Sequence, residues 1–103
     1  MSMLHIVNKS PFERNALSSC LDTAQDGSSL LLIEDGVVCA TAGGRFADTI
    51  TQAMQRNLAI YALNPDLKAR GFSDKQVLEG VQLIGYEDFV DLVADHDNVQ
   101  SWL

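Results

Sequence analysis

Four short apolar runs recur along the chain: "LHIV" (4–7), "LLLIE" (30–34), "LAIYAL" (58–63) and "VQLI" (81–84). They are nearly continuous rather than alternating, so strands built from them must be buried on both faces. The segments between them carry a helical period. Strands of this kind alternating with helices predict βαβ units: an α/β chain whose parallel sheet is covered by helices on both sides. At 103 residues the chain is expected to form one domain spanning 1–103. Four strands leave sheet edges and thinly covered faces, which are usually hidden by another strand, a helix or a partner chain. An oligomer is expected on that ground.

The first helix is predicted within "SPFERNALSSCLDTAQDG" (10–27). Ser10 can cap it, Pro11 suits its first position and Glu13 completes a capping box, while Gly27 closes it. Phe12, Ala16, Leu17, Leu21 and Ala24 then share one face. A second helix follows "AGG", with Phe46, Ile50, Ala53 and Met54 as its apolar stripe. Asn64-Pro65 starts a third that Gly71 stops, and Ser73 with Gln76 boxes a further turn ending at Gly80. The last helix carries Tyr86, Phe89, Val90 and Val93 on one side. Beyond it, "DHDNVQSWL" reads as a fraying tail.

Charge and motif content exclude several functions. Fourteen acidic residues against seven basic ones leave a net charge of −7, a field that repels phosphate backbones, so direct nucleic-acid binding is not expected. No run approaches the roughly 20 apolar residues that span a bilayer. The amino end lacks a secretory pattern, and the cytoplasm is the expected compartment. There is neither a dinucleotide-binding nor a P-loop glycine pattern, and "GG" at 43–44 reads as a turn. No acidic pair follows the first strand, and no nucleophile elbow is present. Two cysteines without metal-type spacing, and histidines far apart at 5 and 96, point to no metal and no cofactor.

Ligands of open parallel sheets collect outside the carboxyl ends of the strands. "NKSP", "EDG" and "NPDLKARG" fall there, gathering Lys9, Asp35, Asn64, Asp66 and Arg70 on one rim. Such residues serve as caps, turns and solvated charges; alternatively they form a polar interface or a small-ligand rim. Cys20 lies near the carboxyl end of its helix, where the dipole disfavours a thiolate, and inside the apolar arc. Its position therefore suits a small core hydrophobe, and Cys39 reads the same way. A tryptophan one residue from the end, Trp102, would anchor the tail to its own domain or to a neighbouring subunit. His5 suits a core or rim imidazole, and His96 a surface position at a helix end.

"MLHIVNKSPF", "LLLIEDGV", "YALNPDLKARG" and "DFVDLV" with a terminal tryptophan resemble, in order and over essentially the whole chain, the DsrH/TusB family. The resemblance implies a three-layer α/β/α DsrE-like fold with a mostly parallel sheet of four to five strands. It also implies a cytoplasmic sulfur-relay subunit, assembled with two paralogous DsrE-like subunits in a heterohexamer containing two copies of each. That complex would hold sulfur as a cysteine persulfide, principally on a sister subunit, and pass it to a small carrier protein of the DsrC/TusE type. A thiol in the first helix, here Cys20, is a trait of the sulfur-oxidation branch that works with dissimilatory sulfite reductase. The expectation is therefore that branch, with Cys20 as a candidate accessory persulfide thiol. The alternatives are a TusB-type role in tRNA 2-thiouridine synthesis and a purely architectural subunit. In the architectural case Lys9, Asp35, Asp66, Arg70 and Trp102 would serve as interface residues. An independent enzyme acting on a small ligand at the same rim lacks any recognised cofactor loop or acid/base pair.

Overall fold

The computed structural model describes residues 3–10 and 15–102. The four apolar runs become β1 (Met3–Val7), β2 (Ser29–Leu32), β3 (Ala59–Leu63) and β4 (Gln82–Ile84), all paired in parallel. Every residue of β2 is buried, as a central strand covered on both faces must be. A fifth strand, β5 (Asn98–Trp102), pairs in parallel with β1 and sets the sheet order β4-β3-β2-β1-β5. This corrects the expected fraying tail. β5 is an edge strand, exposed along most of its length, so it carries no apolar run for periodicity to detect. Backbone pairing in register from Met3↔Asn98 to Val7↔Trp102 holds it instead.

The helices are α1 (Ala16–Thr23), α2 (Ala47–Gln55), α3 (Asn64–Ala69) and α4 (Tyr86–Asp95). A 3-10 segment, Glu34–Ala40, follows β2. The capping box expected at Ser10–Glu13, and Phe12 on the apolar face, depend on residues 11–14, which lie outside the described residues. Downstream of them, Ala16, Leu17 and Cys20 are the buried face of α1, and Ala24 is buried just past its end. Ile50 and Ala53 are buried on α2, with Phe46 and Met54 packed beside them. The stop and start signals around α3 are realised: Gly71 takes a φ of 82°, and Ser73 N–H donates to Gln76 Oε1 at 2.8 Å.

Chain order decides which helix covers which face. Steps from β1 to β2, β3 and β4 run one way along the sheet, and right-handed crossovers place their connecting segments on one side. There Val7, Leu30, Leu32, Ile60 and Ala62 meet α1, α2, α3 and the 3-10 segment in the larger core. The step from β4 to β5 returns across the whole sheet and places α4 on the other side. Leu4, Ile6 and Leu31 lie beneath it, packed by Phe89, Leu92 and Val93. Five strands about 4.8 Å apart are roughly twice as wide as one helix about 10 Å across, so α4 covers its face only in part.

Candidate functional site

The carboxyl ends of β1, β2 and β3 form the rim on which the predicted residues stand. Its geometry starts at Gly36, where a Cβ would collide with the Val7 carbonyl; glycine lets the 3-10 segment lie against the end of β1. Ile33 N–H donates to the same carbonyl at 3.0 Å. Glu34 then adopts a φ of 49°, in the left-handed region, and its N–H donates to Asp66 Oδ2 at 2.6 Å. Asp66 in the first turn of α3 thereby holds the turn after β2 in place.

Arg70, just past α3, completes the connection. Its Nε and Nη2 donate to Asp35 Oδ1 at 3.0 and 2.9 Å, and its Nη1 donates to the Asp66 carbonyl at 3.1 Å. Asp35, Asp66 and Arg70 are thus brought together as one bonded unit. The pair is partly solvated, so its contribution lies near the roughly 0–1 kcal/mol of surface ion pairs. A carboxylate already paired with a guanidinium is a fastening, not a free base. Lys9 is half-buried and makes no ion pair with a described residue. Asn8 Oδ1 and Asn64 Oδ1, on the same rim, are buried acceptors without a hydrogen-bond partner among the described residues. No group of three or more His, Cys, Asp or Glu side chains among the described residues could hold a metal ion.

Cys20 lies inside the larger core, with its side chain sealed from solvent, and Cys39 is buried in the 3-10 segment. Burial pushes both thiols up to about 12 from an ordinary 9.0. At neutral pH both are protonated, and the protonated thiol is neither nucleophile nor metal ligand.

Trp102 takes the anchor within its own domain. Its indole Nε1–H donates to His5 Nδ1 at 3.1 Å across the β1–β5 pair, with ring centroids 6.1 Å apart. Accepting at Nδ1 places the proton of the neutral His5 ring on Nε2. Burial also holds the pKa of His5 below its ordinary 6.5. His96 stands at the end of α4 as expected, but half-buried rather than on the surface. Its Nδ1 donates to the Leu92 carbonyl at 2.7 Å, and its Nε2 lies 2.9 Å from Ser29 Oγ, tying the end of α4 to the start of β2.

Arg56, which sequence pattern did not single out, ties α2 to α1. It donates to the Leu21 and Ala24 carbonyls at 3.0 and 2.6 Å and to Asp26 Oδ1 at 3.0 Å. These partners are more than 29 residues away in sequence. The signal available in the sequence was the bare end of the first helix, whose last turn has no basic residue to meet its carbonyls.

The family model described as "DsrH like protein" matches residues 9–99. Among curated proteins, Protein TusB of Pectobacterium atrosepticum is 37% identical over 100 residues, covering 97% of this chain and 100% of its own length. Protein TusB of Escherichia coli K12 is 36% identical with the same coverage. Among solved structures, the crystal structure of the ychN protein from E. coli superposes with a TM-score of 0.80 at 16% identity, covering 98% of this chain and 99% of that one. That last likeness is one of fold. The family match and the full-length relatives together establish that the chain belongs to the DsrH/TusB family.

Proposed function

We propose that this chain is a TusB-type subunit of a cytoplasmic sulfur relay serving 2-thiouridine formation in tRNA. It would work in a heterohexamer with two paralogous DsrE-like subunits, and the transferable persulfide would sit on a sister subunit before passing to a small carrier protein. The observation that carries this reading is similarity to TusB chains over 97% of the sequence. The interior gives independent support for placing the chemistry elsewhere. A thiol with no solvent exposure and a pKa near 12 offers no thiolate to a sulfur donor. Cys20 is then a packing residue. The rim of Asp35, Asp66 and Arg70 is architecture that holds the loops in place and remains available for contact with a neighbouring subunit.

One observation favours the sulfur-oxidation reading: the presence of a thiol in the first helix. It ranks second because the full-length relatives at 36–37% identity are TusB chains and because that thiol is sealed. Deleting the gene separates the two. Loss of 2-thiouridine from tRNA, measured by nucleoside mass spectrometry, is the expected outcome; intact thiolation with lost oxidation of reduced sulfur compounds would reverse the ranking. In the reconstituted complex loaded with a persulfide donor, Cys20 is expected to gain no sulfur while a sister subunit does. A persulfide on Cys20 in the folded complex would restore it as a carrier.

A further inference from the structure

Exposure of apolar side chains is lopsided. Tyr86, Val90 and Val99, exposed by 61%, 68% and 43%, are the exposed large hydrophobics among the described residues, and all three lie on the α4 side of the sheet. Val99 stands beside Leu4 in the β1–β5 register, so the two side chains share a face, and Leu4 packs under α4. Tyr86 and Val90 combine with the outer edges of Phe89 and Val93 to line an apolar depression of about 300 Å³. Phe89, Leu92 and Val93 already meet the sheet, so the apolar arc of α4 is wider than its own fold uses.

The charged side chains that α4 itself carries beside this depression are all of one sign. Glu87, Asp88, Asp91 and Asp95 occupy the rest of α4, with Glu79 ahead of it, and the sequence from Gln76 onward contains no Lys or Arg. A second copy docking by the same face would set these carboxylates against one another, and like charges juxtaposed at an interface cost several kcal/mol. Nor does another surface of the described residues offer an exposed large hydrophobic side chain to fill the depression. The described residues therefore offer no complementary surface of their own.

From this geometry we infer that the exposed face of α4, with Tyr86 and Val90 at its centre, docks a different protein chain that presents an apolar protrusion ringed by Lys and Arg. The apolar centre would supply the affinity, and the acidic margin would steer and select the partner. The identity of the chains to test rests on the relay-subunit reading, under which the two paralogous subunits are the partners.

The test compares association of the full-length chain with those co-purified subunits, by sedimentation velocity, for wild type, Val90→Asp and the double variant Glu87→Lys/Asp91→Lys. All these positions are exposed, and circular dichroism with thermal melting verifies that each variant keeps its fold. Val90→Asp is expected to weaken association about tenfold or more. The double charge reversal is also expected to weaken it about tenfold, and to flatten the loss of affinity between about 50 and 500 mM salt. Unchanged association of Val90→Asp overturns the docking face while leaving the relay-subunit reading intact. Charge reversal without effect overturns the cationic rim. An isolated chain that dimerises, and that Val90→Asp turns into a monomer, overturns the choice of partner in favour of a second copy. Failure of the wild-type chain to associate overturns the inference together with the reading beneath it.

Discussion

A thiol becomes a nucleophile by losing its proton, and at Cys20 the surroundings oppose that loss. Burial raises its pKa from 9.0 to about 12, so the folded chain retains a proton there that the unfolded chain gives up between those values. The contribution of Cys20 to stability is thus full below pH 9 and is lost as pH rises toward 12. Cys20→Ala removes part of that alkaline loss, introduces a small void and costs about 1 kcal/mol in urea unfolding. Native protein is expected to leave the thiol unlabelled by a maleimide that reacts fully in urea; rapid native labelling would contradict the sealed position. His5 works in the opposite pH direction. Its folded pKa lies below 6.5, so as pH falls below 6.5 the unfolded chain binds a proton that the folded chain refuses, and stability declines. Trp102→Phe removes the indole donor, costs about 1 kcal/mol and alters that acid slope, measured by urea unfolding followed by circular dichroism. The burial of Cys20 was legible in its helical spacing beside Ala16 and Leu17. The His5–Trp102 bond was not, because 97 residues separate its partners.

Between elements, single residues decide how closely segments can approach. Gly36 is the clearest case, since any side chain there meets the backbone carbonyl that ends β1 rather than a side chain able to move aside. Gly36→Ala is expected to cost about 1–3 kcal/mol, read as a lowered thermal midpoint. An unchanged midpoint would mean the 3-10 segment is not held against β1. The limits of α3 and the turn after it were readable because Asn64-Pro65, Gly71 and the Ser73–Gln76 box act through local backbone geometry. Two of the ties among elements were not. Arg56 reaches the end of α1, and His96 reaches Ser29, through contacts that exist only after the sheet has assembled. The rim was legible as a place, the carboxyl edge of a parallel sheet, but not as the bonded unit of Asp35, Asp66 and Arg70.

For the whole molecule, strand order controls coverage. Three connections on one side build a deep core, while one helix on the other leaves apolar surface beside an acidic margin. β5 shields β1, which would otherwise be the open edge of the sheet. Truncation after Asp97 removes that shield and the Trp102 anchor. It is expected to lower the melting temperature by about 10 °C or more and to promote aggregation seen by light scattering. A soluble truncation with an unchanged melting temperature would show that the edge needs no cover. The sequence by itself determined the α/β class, four of the five parallel strands, the buried faces of α1 and α2 downstream of residue 15, and the family. Each of these is written in local hydrophobic period, capping chemistry or residue motif. Of the side expected for the last helix, Phe89 and Val93 face the core and Tyr86 and Val90 do not. Only the tertiary structure decided that the acidic tail returns as an edge strand, that the rim charges bond one another and that α4 stands alone on its face. Those outcomes depend on backbone pairing and on contacts between residues far apart in sequence, for which local pattern carries no signal.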